Sequence, residues 1–193
     1  MDTRERLVHA AIDVFAEKGY GGTRVQDIAR RAGFTAGALY VHFPSRTALL
    51  GEAIAMEGRR ILGEIVVSLG AIEPGDGAVS RVLTEQTVAA TSGIDRLLLD
   101  ALALAGRDPD ARTMLDSTLR GLQDTMERLI GRAQEGGLVD PELDVTALRT
   151  FFMAWVLGLV VLRAVGLNEV EVTPMLEVIS RINGGLQSEV AAN

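Results

Sequence analysis

The sequence predicts an all-α protein, and three observations carry that prediction. Apolar residues recur at the three-and-four spacing of a helix along the whole chain, and no stretch alternates cleanly as a strand does. With 48% hydrophobic and 23% charged residues there is material for a core, and the mixed charges argue against disorder. A length of 193 residues exceeds one small module and falls short of two full-sized domains. The expected architecture is a three-helix N-terminal head over residues 1–46 and a helical body over 47–193, about nine helices in all, joined through a long fourth helix.

In the first helix Val8, Ile12 and Phe15 share a face with Leu7 and Ala11, and Gly19 supplies the left-handed residue that ends it. Tyr20 then falls where it packs back on Phe15. Thr23 and Gln26 have the spacing of a capping box, opening a helix whose apolar stripe is Val25, Ile28, Ala29 and Ala32. Gly33 stops that helix. Thr35 is a natural N-cap for the next, which runs through Ala36, Gly37 and Ala38 to Leu39 and Phe43, one turn apart. Two short helices around a glycine turn make a helix-turn-helix. Pro44 breaks the second of them, and Ser45 caps a helix running from Arg46 towards Leu69.

The body divides at EPGDG, SG, GRDPD, EGGLVDPELD and GLNEVEVTP, which separate five further helices. DRLLLDALALAG is apolar nearly all round and is expected at the buried centre. Leu115, Thr118, Leu122, Met126, Leu129 and Ala133 form one stripe of the following helix. FFMAWVLGLVVL, twelve residues closed by Arg149 and Arg163, is well short of the ~20 a membrane span needs and reads as a buried helix, with no membrane partner expected. Leu148, Phe152, Trp155, Leu159 and Leu162 step by four and three, as do Met175, Ile179, Ile182 and Leu186. Such seams on neighbouring helices suit half of a four-helix bundle completed by a symmetry mate, hence a homodimer with Phe152, Trp155, Leu159, Leu162, Met175, Ile179, Ile182 and Leu186 at its interface.

Charge is uneven. The net charge is −7, yet residues 1–50 hold seven Lys/Arg and five acids, +2, leaving −9 for the remainder. Attraction between charges acts within about a Debye length, ~8 Å at physiological salt, so a mildly basic head on an acidic body can still meet a polyanion. The absence of cysteine excludes disulfides, a thiolate nucleophile and cysteine-ligated metal. The first fifteen residues, MDTRERLVHAAIDVF, contain acids and no long apolar core, so no secretory signal is expected and a cytoplasmic location follows.

The stretch RLVHAAIDVFAEKGYGGTRVQDIARRAGFTAGALYVHFPSRTALL resembles the DNA-binding region of the TetR family of bacterial one-component transcriptional regulators. The shared order is a first-helix face ending in Phe, then Gly-Tyr, the Thr cap, Asp-Ile-Ala, Ala-Gly, Leu-Tyr, His-Phe, and Ser before a basic residue. Over the rest of the chain the resemblance implies architecture only, a helical domain that binds a ligand and dimerises. The chain departs from the family at Ala36, where a polar or basic residue is frequent, and at Arg46, where Lys is usual.

The residues expected at DNA are Thr23, Arg24, Gln26, Thr35, Ala36, Gly37, Tyr40, His42 and Arg46. Thr35 and Ala36 offer methyl contact to thymine, Gly37 permits close backbone approach, and Gln26 either pairs with adenine or completes its cap. Tyr40 and His42 suit phosphates, Arg46 brings a fork to phosphate oxygens, and Thr23 caps its helix where the N-terminus meets a phosphate. A mainly apolar small effector is expected against Thr84, Thr87, Thr91, Thr118, Leu122, Phe151 and Trp155. Residues 55–193 have no Cys, no His, no glycine-rich phosphate loop and no paired carboxylates on an apolar face, so neither catalysis, cofactor nor metal is expected. The function read from sequence is a homodimeric repressor released from double-stranded operator DNA by that effector. The alternatives are a helical carrier or enzyme, and an architectural DNA binder without effector.

Overall fold

The computed structural model describes residues 1–70, 94–164, 166–167, 174–175 and 177–178. Among these are seven helices and no strand: α1 Thr3–Gly22, α2 Val25–Ala32, α3 Ala36–His42, α4 Arg46–Gly70, α5 Ile94–Ala105, α6 Pro109–Glu135 and α7 Val145–Ala164. The helices expected between EPGDG and SG and after Pro174 fall wholly or largely outside the described residues.

Local capping explains the head. Asp2 opens α1 by accepting from the Glu5 N–H at 2.7 Å while the Glu5 carboxylate accepts from the Asp2 N–H at 3.0 Å, a reciprocal cap. Leu7, Val8, Ala10, Ala11, Val14 and Phe15 are buried, so the inward face includes Val14, whereas Ile12 is only half-buried. Tyr20 stacks on Phe15 with ring centroids 5.8 Å apart, as expected. Gly19 does interrupt α1, at φ 70° and ψ 167°, but a last turn follows it to Gly22.

The cap of α2 differs from expectation. Arg24 is the N-cap residue, and its N–H donates to the Asp27 carboxylate at 3.3 Å. Thr23 is buried instead, with its hydroxyl donating to the Gly19 carbonyl at 2.7 Å; the break in α1 leaves that carbonyl in reach. At the other end Gly33 is left-handed (φ 79°, ψ 29°), and Phe34 N–H reaches the Ala29 carbonyl at 2.8 Å while Gly33 N–H reaches that of Arg30 at 3.1 Å. This paired closure turns the chain sharply into α3. Thr35 Oγ1 caps α3 by accepting from Ala38 N–H at 3.2 Å, and Ser45 Oγ caps α4 by accepting from Ala48 N–H at 3.0 Å.

The described residues form two compact units: Met1–Arg60 with those of Ser92–Asp124, and those of Ile61–Thr91 and Thr125–Asn193. The first extends past the 1–46 head expected from motifs because α5 packs on α1. That contact uses one face of α5, with Leu97, Leu98 and Ala101 buried and Leu102 41% exposed. The helix is therefore amphipathic and is not the all-round buried centre that its composition suggested. In the same unit α4 buries Leu49, Leu50, Ala53 and Ile54 and turns Gly51 and Gly58 towards α6. A Cβ at Gly51 would stand 2.6 Å from Met114 Sδ, and one at Gly58 2.7 Å from the Leu122 methyls.

In the second unit Arg149, early in α7, pairs with Glu127 of α6 at 2.5 Å. Only Leu159 and Val160 of α7 are buried, and Phe151 is 61% exposed. The expectation of a buried helix is thus corrected. By length and composition alone this twenty-residue helix could also cross a membrane, although its first turns carry the Arg149–Glu127 ion pair.

Candidate nucleic-acid interface

The surface in question is the outer side of α2 and α3. Leu39 and Phe43 are buried, and they fix the orientation of the seven-residue α3. Successive helical residues rotate by about 100°, so with Leu39 inward, Tyr40 and Val41 must turn out. They do, at 54% and 81% exposure. Thr35, Gly37 and His42 are exposed beside them, Ala36 and Ala38 are half-buried, and Arg24 and Gln26 are exposed at the start of α2. Seven of the nine residues expected at DNA thus lie at the start of α2, in the turn or on α3 and keep part or most of their surface open. Val41 was not among them; the inward position of Leu39 was the signal that could have found it.

The other two are engaged inside. Thr23 is buried with its hydroxyl on α1, so its side chain is unavailable to a phosphate. Arg46 is half-buried, donates from Nη1 to the Thr23 carbonyl, and lies over the Tyr20 ring with its guanidinium carbon 4.1 Å from the centroid. A guanidinium held by a carbonyl and an aromatic face is part of the head's own packing.

Most of the head's cations are similarly occupied. Lys18 and Arg30 both pair with Asp27, at 3.1 and 2.7 Å. The Lys18 hydrogen bond, followed by that from the Arg24 N–H, holds the Asp27 carboxyl below its usual range. Arg31 pairs with Glu17 at 2.7 Å, and Arg6 donates to the Ala32 carbonyl at 3.0 Å while lying over Phe34. Arg4 covers the Phe43 ring and reaches Glu52 at 2.7 Å. That bond, with Arg59 assisting, draws the Glu52 carboxyl below the ordinary range. Among the described residues of the head, Arg24 alone of the seven cations takes part in none of these pairings. The net +2 of the head is unchanged by these pairs, but six of its seven cations are engaged with partners in the fold.

The candidate effector and dimer residues are described only in part. Thr84, Thr87, Thr91, Ile179, Ile182 and Leu186 lie outside the described residues. Thr118 and Leu122 are half-buried and face Gly51 and Gly58 of α4, which is a packing role. Phe151 is on an open face of α7, its ring 5.6 Å from Phe152 and 6.4 Å from Trp155, and so does not line an interior. Phe152, Trp155 and Met175 are half-buried, Leu159 is buried and Leu162 is exposed.

A short outward-facing helix, held by a buried Leu-Phe pair and joined to its predecessor by a left-handed glycine, is a helix-turn-helix head. Residues 7–53 match the family described as bacterial regulatory proteins, tetR family, so this N-terminal region is a domain of that family. The HTH-type transcriptional regulator CymR of Pseudomonas putida is 30% identical over 128 residues, 66% of this chain. The match spans 60% of CymR, less than two thirds of that relative's length. Among solved structures, the fatty acid degradation regulator FadR of Bacillus halodurans superposes with a TM-score of 0.69 at 19% identity, covering 95% of each chain. The transcriptional regulator FadR of Bacillus subtilis, in complex with stearoyl-CoA, superposes with a TM-score of 0.67 at 16% identity, covering 93% of this chain and 96% of that one. At these identities the likeness is one of fold.

Proposed function

We propose that the protein is a transcriptional regulator that binds double-stranded operator DNA through α3 and the start of α2, acts as a homodimer in the bacterial cytoplasm, and is released by a small, mainly apolar effector. The observation that carries the reading is the exposed face of α3, where Tyr40 and Val41 stand free while Leu39 and Phe43 are buried. Nothing in the packing of the head requires that face.

Tyr40 and His42 supply hydrogen-bond donors for phosphates, Arg24 supplies an uncommitted charge, and Gln26 presents an amide that suits adenine. Thr35, Ala36 and Val41 offer methyl groups to thymine, and Gly37 leaves room for backbone approach. With so few polar groups at base edges, discrimination falls to apolar contact and DNA shape. Thr23 and Arg46 support this surface from inside. CymR is named as a transcriptional regulator, which favours regulation over catalysis.

The open apolar face of α7, with Phe151, Val161 and Leu162, favours a second copy as its cover. The stearoyl-CoA held by the Bacillus subtilis FadR has a long apolar acyl chain, which supports an effector with a large apolar part. The test is selection of duplexes from a random library by the full chain, followed by footprinting at stated salt. Two half-sites about one helical turn apart, ~34–36 Å, are expected. Sequence-tolerant binding would support the architectural alternative, and no binding would sink the reading.

A further inference from the structure

The break at Gly19 has two loose ends. In an unbroken helix the Tyr20 N–H would donate to the Ala16 carbonyl. At ψ 167° for Gly19 the Tyr20 amide is turned out of the helical path, so a donor and an acceptor both need partners. Two residues one turn apart on α5 supply them. Asp100 Oδ2 accepts from the Tyr20 N–H at 2.6 Å, and Arg96 Nη1 donates to the Ala16 carbonyl at 3.3 Å. The same side chains fill the space that a Cβ at Gly19 would occupy, with Arg96 Nη2 3.0 Å and Asp100 Oδ2 3.4 Å from it. An acid and a base from a helix 80 residues away thus stand in for one missing backbone hydrogen bond.

Tyr20 passes that placement on. Its hydroxyl is 2.9 Å from Thr47 Oγ1, and its ring carries the Arg46 guanidinium, which in turn holds the Thr23 carbonyl ahead of α2. Arg46 and Thr47 begin α4, directly after the Phe43-Pro44-Ser45 corner that closes α3. The spatial order is α5, Tyr20, the start of α4, then α3.

We propose that Arg96 and Asp100 are positioning residues for DNA binding: they splint the break in α1 and thereby set, through Tyr20, the register of the recognition helix. Neither touches DNA. The inference rests on the DNA-binding reading above. Losing the Asp100 acceptor leaves a part-buried N–H unpaired and lowers the fraction of heads in the binding geometry.

The test measures binding of the full chain to a duplex that the wild type selects from a random library, together with amide exchange of the free protein. Asp100→Ala should weaken binding by about tenfold, the factor for one lost hydrogen bond to a charged group. Asp100→Asn, which keeps an acceptor, should stay within about threefold of wild type, as should the milder Arg96→Ala, though with a measurable loss. Exchange in Asp100→Ala should quicken at Tyr20 and at residues 47–49 and stay unchanged across α2. Should Asp100→Ala fail to fold, Arg96→Ala decides by the same two readings. Unchanged affinity, or exchange that rises evenly across the whole head, overturns the positioning role. A wild type that selects no duplex overturns the DNA-binding reading itself, a separate result.

Discussion

The head and α7 are both rich in apolar residues, and they use them in opposite ways. In the head Leu7, Val8, Phe15, Ile28 and Leu39 lose their whole surface. In α7 only Leu159 and Val160 are buried, while Phe151, Val161 and Leu162 stay open. One region is complete within a single chain. A second copy over that open face, as proposed above, would make the contribution of α7 depend on protein concentration in a way that the head's does not.

The most severe way to break this contrast is to empty the complete region. Phe15→Ala should destabilise the head by about 3–5 kcal/mol, the cost of deleting a large buried aromatic. Urea unfolding read from head-specific exchange should give that loss equally at low and high protein concentration. A concentration-dependent loss would mean that the head borrows stability from a second copy.

The opposite case is the double change Phe151→Asp and Leu162→Asp. It should leave the urea midpoint of the head unchanged and weaken self-association by about 2 kcal/mol or more, roughly thirtyfold. Sedimentation velocity across a dilution series reads the effect. Equal masses for variant and wild type at every concentration would remove α7 from the interface.

The smallest effect sharpens the contrast by charge. Glu52, drawn below the ordinary carboxyl value by Arg4 and then Arg59, adds stability that is complete above its unfolded pKa of about 4.3 and is lost as pH falls through its folded value. Exposed pairs of this kind contribute up to about 1 kcal/mol. Glu52→Gln should therefore cost a little at pH 7 and nothing in strong acid, so the two pH–stability curves converge as pH falls. Curves that stay parallel below pH ~4 would contradict the assignment.

How much of this was legible in the sequence depends on the range of the forces involved. Gly33, Thr35 and Ser45 each satisfy backbone groups within three or four residues, and the sequence reading found all three in their roles. Thr23 has the residue type and spacing of a cap, but its hydroxyl is drawn to the Gly19 carbonyl, which the break in α1 leaves accessible. The actual pair, Arg24 with Asp27, sits one residue further along the same spacing. Arg46 carries the residue type of a phosphate ligand, but its aromatic partner Tyr20 is 26 positions away and gave no local sign. The hydropathy of α5 and α7 predicts more burial than either helix shows. Composition measures what a helix can bury; its neighbours decide what it does bury.

Gly51 and Gly58 lie seven residues apart, nearly two turns, and form a notch in α4 that Met114 and Leu122 of α6 fill from the other side. The volume at this crossing belongs to the pair of helices, and its present division between them is one of several that would fit. A methyl gained at Gly58 and a carbon lost at Leu122 would restore the same total, yet either change alone leaves a clash or a hole. For a sequence drifting under selection, the contact is a coupled locus: α6 can vary among flexible side chains of similar size, whereas α4 can change only in step with it. The history open to one helix is therefore written partly in the other.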